Sequence, residues 1–262
     1  MIEQPGEPLY WNGIKTFKWK GHYWIPRPLW GTVHEQDFLC YVDPEQPEIL
    51  DNGNLLLPFE YKPFQGRPIG RASVRSIEEW KYGTFEWRFI LPKGEYMWPA
   101  LWLSSDAGWP PEIDCLEGWS GDEPNYVKRL LFKSIKPTMH WSTGADERNG
   151  MHRQQTKDNV CRLLMKGDGK ENTAKVVWAP NYVDVYYNGW KVKRFKDPEM
   201  LKHFNKEGYR MHAIMSTGPY GEPWTKFTQS LAEKDLSQVD FSRSPKVYND
   251  FEIIDFKYSP LR

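Results

Sequence analysis

The sequence predicts an all-β fold: a β-jelly-roll sandwich of two curved antiparallel sheets with one concave face. Three observations lead there. Alternating polar and apolar stretches recur, clearest at Tyr82-Gly83-Thr84-Phe85-Glu86-Trp87-Arg88-Phe89-Ile90-Leu91, as expected for half-exposed antiparallel strands. Turn residues punctuate the chain at short intervals, with Asn-Gly at Asn52-Gly53 and Asn188-Gly189. Helical periodicity is weak, and only residues 198–206 suggest a short helix. Short strands joined by Gly/Pro turns read as a sandwich or jelly roll. Two packed sheets of this kind leave one face to hold a ligand.

The elements follow in order. Residues 1–50, rich in Trp, Pro and Gly, read as loops and edge strands wrapped around a core. Leu50 to Leu57 reads as strand, Asn-Gly turn, strand. After the 82–91 strand, Pro92-Lys93-Gly94 turns the chain and Trp98 to Ser104 forms the next strand. Asp106-Ala107-Gly108-Trp109-Pro110-Pro111 then leads into a strand that begins at Glu112. Ala174 to Trp178 and Tyr182 to Tyr187 read as strands, the second ending in the Tyr187-Asn188-Gly189-Trp190 turn. Tyr209 to Ser216 and Phe251 to Tyr258 complete the set. Lys166-Gly167-Asp168-Gly169-Lys170 lacks the remaining ligands of a phosphate or calcium loop and reads as a hairpin turn. No repeat or linker divides the chain, so residues 1–262 are expected to form a single domain, with 1–70 its divergent N-terminal part.

Length and charge narrow the function classes. A chain of 262 residues suits one large all-β domain or two small ones. The 35 basic and 35 acidic residues balance, without the basic excess of a nucleic-acid binder. No run approaches a membrane span. Aromatic content is 16%, with 14 Trp and 14 Tyr, enough for a filled core and also for rings that stack on sugars. Cys40, Cys115 and Cys161 show no CxxC, which argues against a zinc site or a disulfide framework; one disulfide stays open. Cys115 reads as a small packing residue. Met1 to Tyr10 is polar and contains proline, unlike a signal peptide.

The run Glu112-Ile113-Asp114-Cys115-Leu116-Glu117 places three carboxylates within six residues of an apolar strand. Acids are rarely buried there unless paired or used. Alternation puts Glu112 and Asp114 on one face and Glu117 on the other. A β-bulge, one extra residue, returns Glu117 to the first face. Two carboxyls set across a scissile bond are what a retaining glycosidase needs, one as nucleophile and one as proton donor and acceptor. A solvated acidic face and a divalent-cation site remain as alternatives.

These residues resemble the bulged catalytic signature of glycoside hydrolase family 16. Tyr82 to Phe89, Leu91-Pro92-Lys93-Gly94, Trp98-Pro99-Ala100-Leu101-Trp102-Leu103, His140-Trp141, Val176 to Gly189 and Phe251 to Phe256 follow in that family's order, over roughly residues 70–260. The resemblance implies a jelly roll and a retaining endo-acting hydrolase of a β-linked polysaccharide. It assigns Glu112 as nucleophile, Glu117 as general acid/base and Asp114 as helper. The bulged form is similar to laminarinases, agarases and carrageenases, so the expected substrate is a β-1,3-glucan or a red-algal galactan such as agar, porphyran or carrageenan. Glu117-Gly118 and Trp109-Pro110 look more like the β-1,3-glucanase branch. The segment Ser216 to Trp224 departs from the family pattern.

Trp98, Trp109, Trp119 and Trp224 are candidates for sugar stacking, although core packing is the commoner fate of a sandwich Trp. Trp98 and Trp102 share strand parity, so one of them is expected to fill the core. Trp119 and Trp224 read as loop residues. His140 would hydrogen-bond the acid/base or a sugar. No cofactor or catalytic metal is expected, and a structural calcium cannot be read from the sequence. The expected partner is the polysaccharide alone, with neither nucleic acid nor membrane, and the protein is expected to be a monomer. It would act outside the cell or in the periplasm, its export signal lacking from this chain or replaced by another route. The competing readings are a non-catalytic carbohydrate-binding jelly roll and a transglycosylase of the same fold.

Overall fold

The structure is a computed structural model that describes residues 10–11, 13–27, 32–33, 40–92, 98–119, 134–143, 151–156, 164–166, 169–218 and 251–261. In chain order the strands are β1 (Tyr10–Trp11), β2 (Ile14–Lys15), β3 (Phe17–Trp19), β4 (His22–Ile25), β5 (Cys40–Val42), β6 (Glu48–Ile49) and β7 (Leu55–Leu57). They continue as β8 (Phe59–Phe64), β9 (Arg67–Arg71), β10 (Ser73–Ser76), β11 (Gly83–Ile90), β12 (Ala100–Ser104), β13 (Glu112–Trp119), β14 (Ser134–Thr143) and β15 (Met151–Thr156). Then come β16 (Glu171–Ala179), β17 (Tyr182–Tyr187), β18 (Trp190–Phe195), the helix α1 (Pro198–Phe204), β19 (His212–Ser216) and β20 (Phe251–Ser259).

An eight-stranded sheet runs β15-β14-β13-β12-β19-β10-β4-β3, and a seven-stranded sheet runs β18-β17-β16-β11-β20-β7-β6. All neighbours within these two sheets pair antiparallel. The predicted two-sheet sandwich is therefore present, with two additions. A three-stranded side sheet, β5-β9-β8, contains a parallel pair between β5 and β9. A further pair joins β1 and β2. The early residues do act as edge strands, since β3 and β6 each close an edge of a main sheet.

One apolar core fills the sandwich. The strand β11 alternates as predicted: Phe85, Trp87 and Phe89 are fully buried, while Thr84, Glu86 and Arg88 face outward. Trp178, Val185 and Tyr187 meet them from the same sheet, and Leu101, Leu103, Ile113, Cys115 and Leu116 come from the eight-stranded sheet. Trp87 is 0% exposed, so Trp87→Ala removes the largest kind of core ring and leaves a cavity. The expected loss is about 3–5 kcal/mol, measured by urea or thermal unfolding; a loss below about 1 kcal/mol would contradict this packing.

Several boundaries shift for local reasons. The strand β12 begins at Ala100, because Pro99 has no N–H for the ladder. The strand β19 begins at His212; Met211 before it is tied to Trp80 by two backbone hydrogen bonds. Asn188 and Gly189 both have positive φ, as the predicted tight turn requires. The helix α1 starts after Asp197, whose carboxylate accepts from the Glu199 N–H, and its cap is Asn205. Asn172 accepts from the Lys166 N–H at 2.7 Å and donates to the Lys170 carbonyl at 3.0 Å. It thus closes the predicted 166–170 turn, of which Gly167 and Asp168 lie outside the described residues. Cys40 and Cys115 are both buried, and Cys161 lies outside the described residues. No helix among the described residues is long and apolar enough to cross a membrane.

Candidate active site

The carboxylate strand β13 is bulged. Against β12 the register runs Leu101↔Leu116 and then Trp102↔Asp114, skipping Cys115. Against β14 it runs Asp114↔Thr138 and then Glu117↔Lys136, so three steps on β13 meet two on β14. Ile113, Cys115 and Leu116 all point into the core, and each is fully buried there. Glu112, Asp114 and Glu117 consequently share the opposite face.

Cross-strand register builds three rows on that face. The first row joins His140, Glu112, Ser104 and His212. The second joins Thr138, Asp114, Trp102, Ile214 and Arg75. The third joins Lys136, Glu117, Ala100 and Ser216. At about 3.3 Å per residue, Glu112 and Glu117 have Cα atoms roughly 13 Å apart, so their long side chains must lean together over Asp114.

Trp109 hydrogen-bonds the Glu112 carboxylate. Trp98 and Thr138 hydrogen-bond Glu117. His140 Nε2 lies 3.1 Å from Asp114 Oδ2 and 3.9 Å from Glu112 Oε1. The Trp109 ring is tilted against His140 with centroids 6.0 Å apart. The Tyr209 hydroxyl donates to the Pro111 carbonyl at 3.1 Å, fixing the entry to β13.

Burial raises all three carboxyl pKa values, because a charge loses its hydration there. Glu112 is pushed well above the usual carboxylate range by burial first and then by the Asp114 charge, with His140 and the Trp109 hydrogen bond opposing. Asp114 is pushed well up by burial and by Glu117, with Lys136 opposing. Glu117 is raised by burial, moderated by His140, Lys136, Trp98 and Thr138. Such a set takes up and releases its protons jointly.

Raised carboxyl pKa values carry a stability consequence. A folded carboxyl that holds its proton to higher pH than the unfolded one costs stability as pH rises from the ordinary value of 4.5 for Glu112. Glu112→Gln is therefore expected to have a higher Tm than the parent at pH 7. The gap should close at pH 4, where the glutamate is protonated in both states. A variant less stable than the parent at pH 7 would contradict that sign.

The predicted site residues divide into groups. Glu112, Asp114, Glu117, Trp98, Trp109 and His140 are brought together. Trp98 and Trp109, read as stacking rings, are hydrogen-bond donors to the two outer carboxylates; Trp109 also keeps a free surface, at 51% exposure. His140 Nε2 is nearest Asp114 and Glu112, and its charge also acts on Glu117. Trp119 is the last residue of β13, not a loop residue, and its side chain lies outside the described residues. Trp224 lies outside them altogether. Trp102, which shares strand parity with Trp98, is the one of the two that is buried, outside the main core of the sandwich. It forms a small cluster with Ala100 and Ile214 on the carboxylate face and donates to Ser216 Oγ at 3.2 Å. Thr138 and Lys136 were not singled out, since only register sets them opposite Asp114 and Glu117. One carboxylate or imidazole atom each from Glu112, Asp114 and His140 lies within 4.8 Å of the others, a set that could hold a divalent cation.

Comparison with solved structures places this geometry. A laminarinase from Rhodothermus marinus superposes with TM-score 0.58 at 20% identity, over 85% of this chain and 84% of that one. A family 16 enzyme of the Bacteroides ovatus mixed-linkage glucan locus, in complex with a G4G4G3G product, superposes with TM-score 0.59 at 17% identity, over 90% and 94%. The fold is that of glycoside hydrolase family 16. In sequence, a glucan endo-1,3-beta-glucosidase from Cryptopygus antarcticus is 37% identical over 84 residues. That match takes in 30% of this chain and only 31% of the relative's length. No protein-family model matches the chain. The family 16 resemblance seen in the sequence is thus met by the fold over most of the chain and by a local sequence match.

Proposed function

We propose that this protein is a retaining endo-β-glucanase of the family 16 type that hydrolyses β-1,3-linked glucan. The observation that carries the reading is the bulged strand, which gathers Glu112, Asp114 and Glu117 on one face with a donor on each outer carboxylate. The names of the similar proteins, an endo-1,3-beta-glucosidase and a laminarinase, support the linkage.

In this mechanism Glu112 attacks the anomeric carbon while Glu117 gives its proton to the leaving glycosidic oxygen. The glycosyl ester on Glu112 is then broken by a water whose proton returns to Glu117, and Glu112 leaves as carboxylate. Three adjacent buried acids cannot all be ionised. A proton on Asp114 resolves the conflict: protonated, it donates to its neighbour, while Trp109 and His140 favour the charged form of Glu112. Burial keeps the second proton on Glu117. The Trp98 and Trp109 rings supply flat surface for the sugars beside these acids.

The test is incubation of the purified protein with laminarin, mixed-linkage glucan, agarose, porphyran and carrageenans. Products are sized, and the anomer first formed is read by NMR. Laminarin shortened to oligosaccharides, with the β anomer appearing first, is the expected result. An α anomer would overturn the retaining mechanism. Binding without any new reducing end would favour a carbohydrate-binding module, and products longer than the donor a transglycosylase.

A further inference from the structure

The bulge that brings Glu117 onto the working face has a support on the other side of the core. Within β13, Cys115 is the residue that pairs with neither β12 nor β14. A bulge leaves such backbone groups outside the ladder. An orphaned carbonyl in an apolar core is costly, so it needs a donor from elsewhere. That donor is Tyr187 of the opposite sheet, whose hydroxyl donates to the Cys115 carbonyl at 2.8 Å. Both residues are 0% exposed, so no water competes for the bond.

Tyr187 is itself held. It ends β17, and the next residue, Asn188, accepts from the Thr173 N–H at 2.9 Å and donates to the Leu164 carbonyl at 2.6 Å. Asn188 also donates to Asn172 Oδ1 at 2.9 Å. The seven-stranded sheet thus presents a fixed hydroxyl to the one unpaired stretch of β13. Burial, followed by the charges of Cys115, Glu117 and Asp114, pushes the Tyr187 pKa well up, so the hydroxyl stays a donor throughout the working range.

We propose that Tyr187 is a positioning residue for the acid/base: through the Cys115 carbonyl it sets the bulge, and the bulge sets where Glu117 points. The inference rests on the hydrolase reading above. Asp114 immediately precedes Cys115 and Glu117 lies two residues beyond it, so any turn of that carbonyl is transmitted to both. Glu112 precedes the bulge and keeps its regular pairing with Ser104 and His140. Loss of the hydroxyl should therefore impair proton donation more than nucleophilic attack.

The two steps can be separated by leaving group. Laminarin needs a proton on its departing oxygen. A 2,4-dinitrophenyl β-laminaribioside does not, because its phenolate leaves unaided. Tyr187→Phe removes one oxygen and keeps the ring, so circular dichroism should show a folded variant, with Tm lowered by a few degrees. Its kcat on laminarin should fall about 10–100-fold with KM within about twofold. The burst of dinitrophenolate, which reports attack by Glu112, should stay within about threefold of the parent. Equal losses on the two substrates, or none on either, would overturn the positioning role. Asn188→Gly tests the same link without touching the hydroxyl. Glycine accepts the positive φ of that turn position. It should show the same unequal loss, and an equal loss there would also count against Tyr187. If the parent protein cuts neither substrate, the hydrolase reading fails first, an outcome distinct from an active parent whose variants show no split.

Discussion

Glu112→Gln is expected to abolish glucan cleavage, with kcat reduced by about 10⁴-fold or more. The amide is almost the same size and can still accept from Trp109, which hydrogen-bonds the parent carboxylate. What it lacks is a nucleophilic oxygen able to form the glycosyl ester. The leaving group does not matter to this loss, because attack on the anomeric carbon precedes every later step. Both laminarin and the dinitrophenyl glycoside should therefore be inert. The folded state should survive, since removing a charge from a buried carboxylate cluster relieves mutual repulsion. Reducing-end assays on matched, folded protein check this. Activity above about 1% of the parent on either substrate would remove Glu112 from the nucleophile role.

Glu117→Gln is expected to behave differently. Its kcat on laminarin should drop about 10²–10⁴-fold, the usual contribution of general acid–base catalysis. Trp98 and Thr138 can still donate to the amide oxygen, so the local frame is kept. The first step on the dinitrophenyl glycoside should persist, because it needs no acid. The second step should then stall for want of a base to activate water, giving a burst of phenolate and a trapped glycosyl-enzyme. The pH profile gives a second check. The parent's alkaline limb reports loss of the Glu117 proton, at a pH above the ordinary carboxyl value of 4.5 because burial raises that pKa. In Glu117→Gln that limb should vanish from the residual rate. A burst-free, uniformly slow variant would assign the acid elsewhere.

Much of the site could be read before folding. The three acids are plain in the sequence, and alternation shows that one extra residue is needed between Asp114 and Glu117 to bring all three to one face; that Cys115 and Leu116 both turn into the core is seen only in the bulged register. The same rule explains β11, where every second residue is buried. Alternation says nothing about neighbours across the sheet, because those depend on register. Thr138 and Lys136 oppose Asp114 and Glu117 only because β14 pairs with β13 in one particular alignment. Trp102 shows the same limit: strand parity tied it to Trp98, but parity does not tell which face is core. Pairing with Asp114 and Ile214 put it on the working face. His140 sits beside Asp114 through its register with Glu112, while the sequence pointed it towards the acid/base or the sugar.

The sequence by itself determined that this is a sandwich of short strands and that one strand carries a bulged trio of carboxylates. Both properties are periodic and local, and alternation and turn chemistry encode them within a few residues. Only the tertiary structure decided what surrounds the trio. Trp109 reaches Glu112 from the loop before it, Trp98 and Thr138 reach Glu117 from two flanking segments, and Tyr187 reaches the bulge from the far sheet across 72 residues of chain. The Tyr187 contact joins groups distant in sequence through an apolar core, where a hydrogen bond must be made because water cannot replace it.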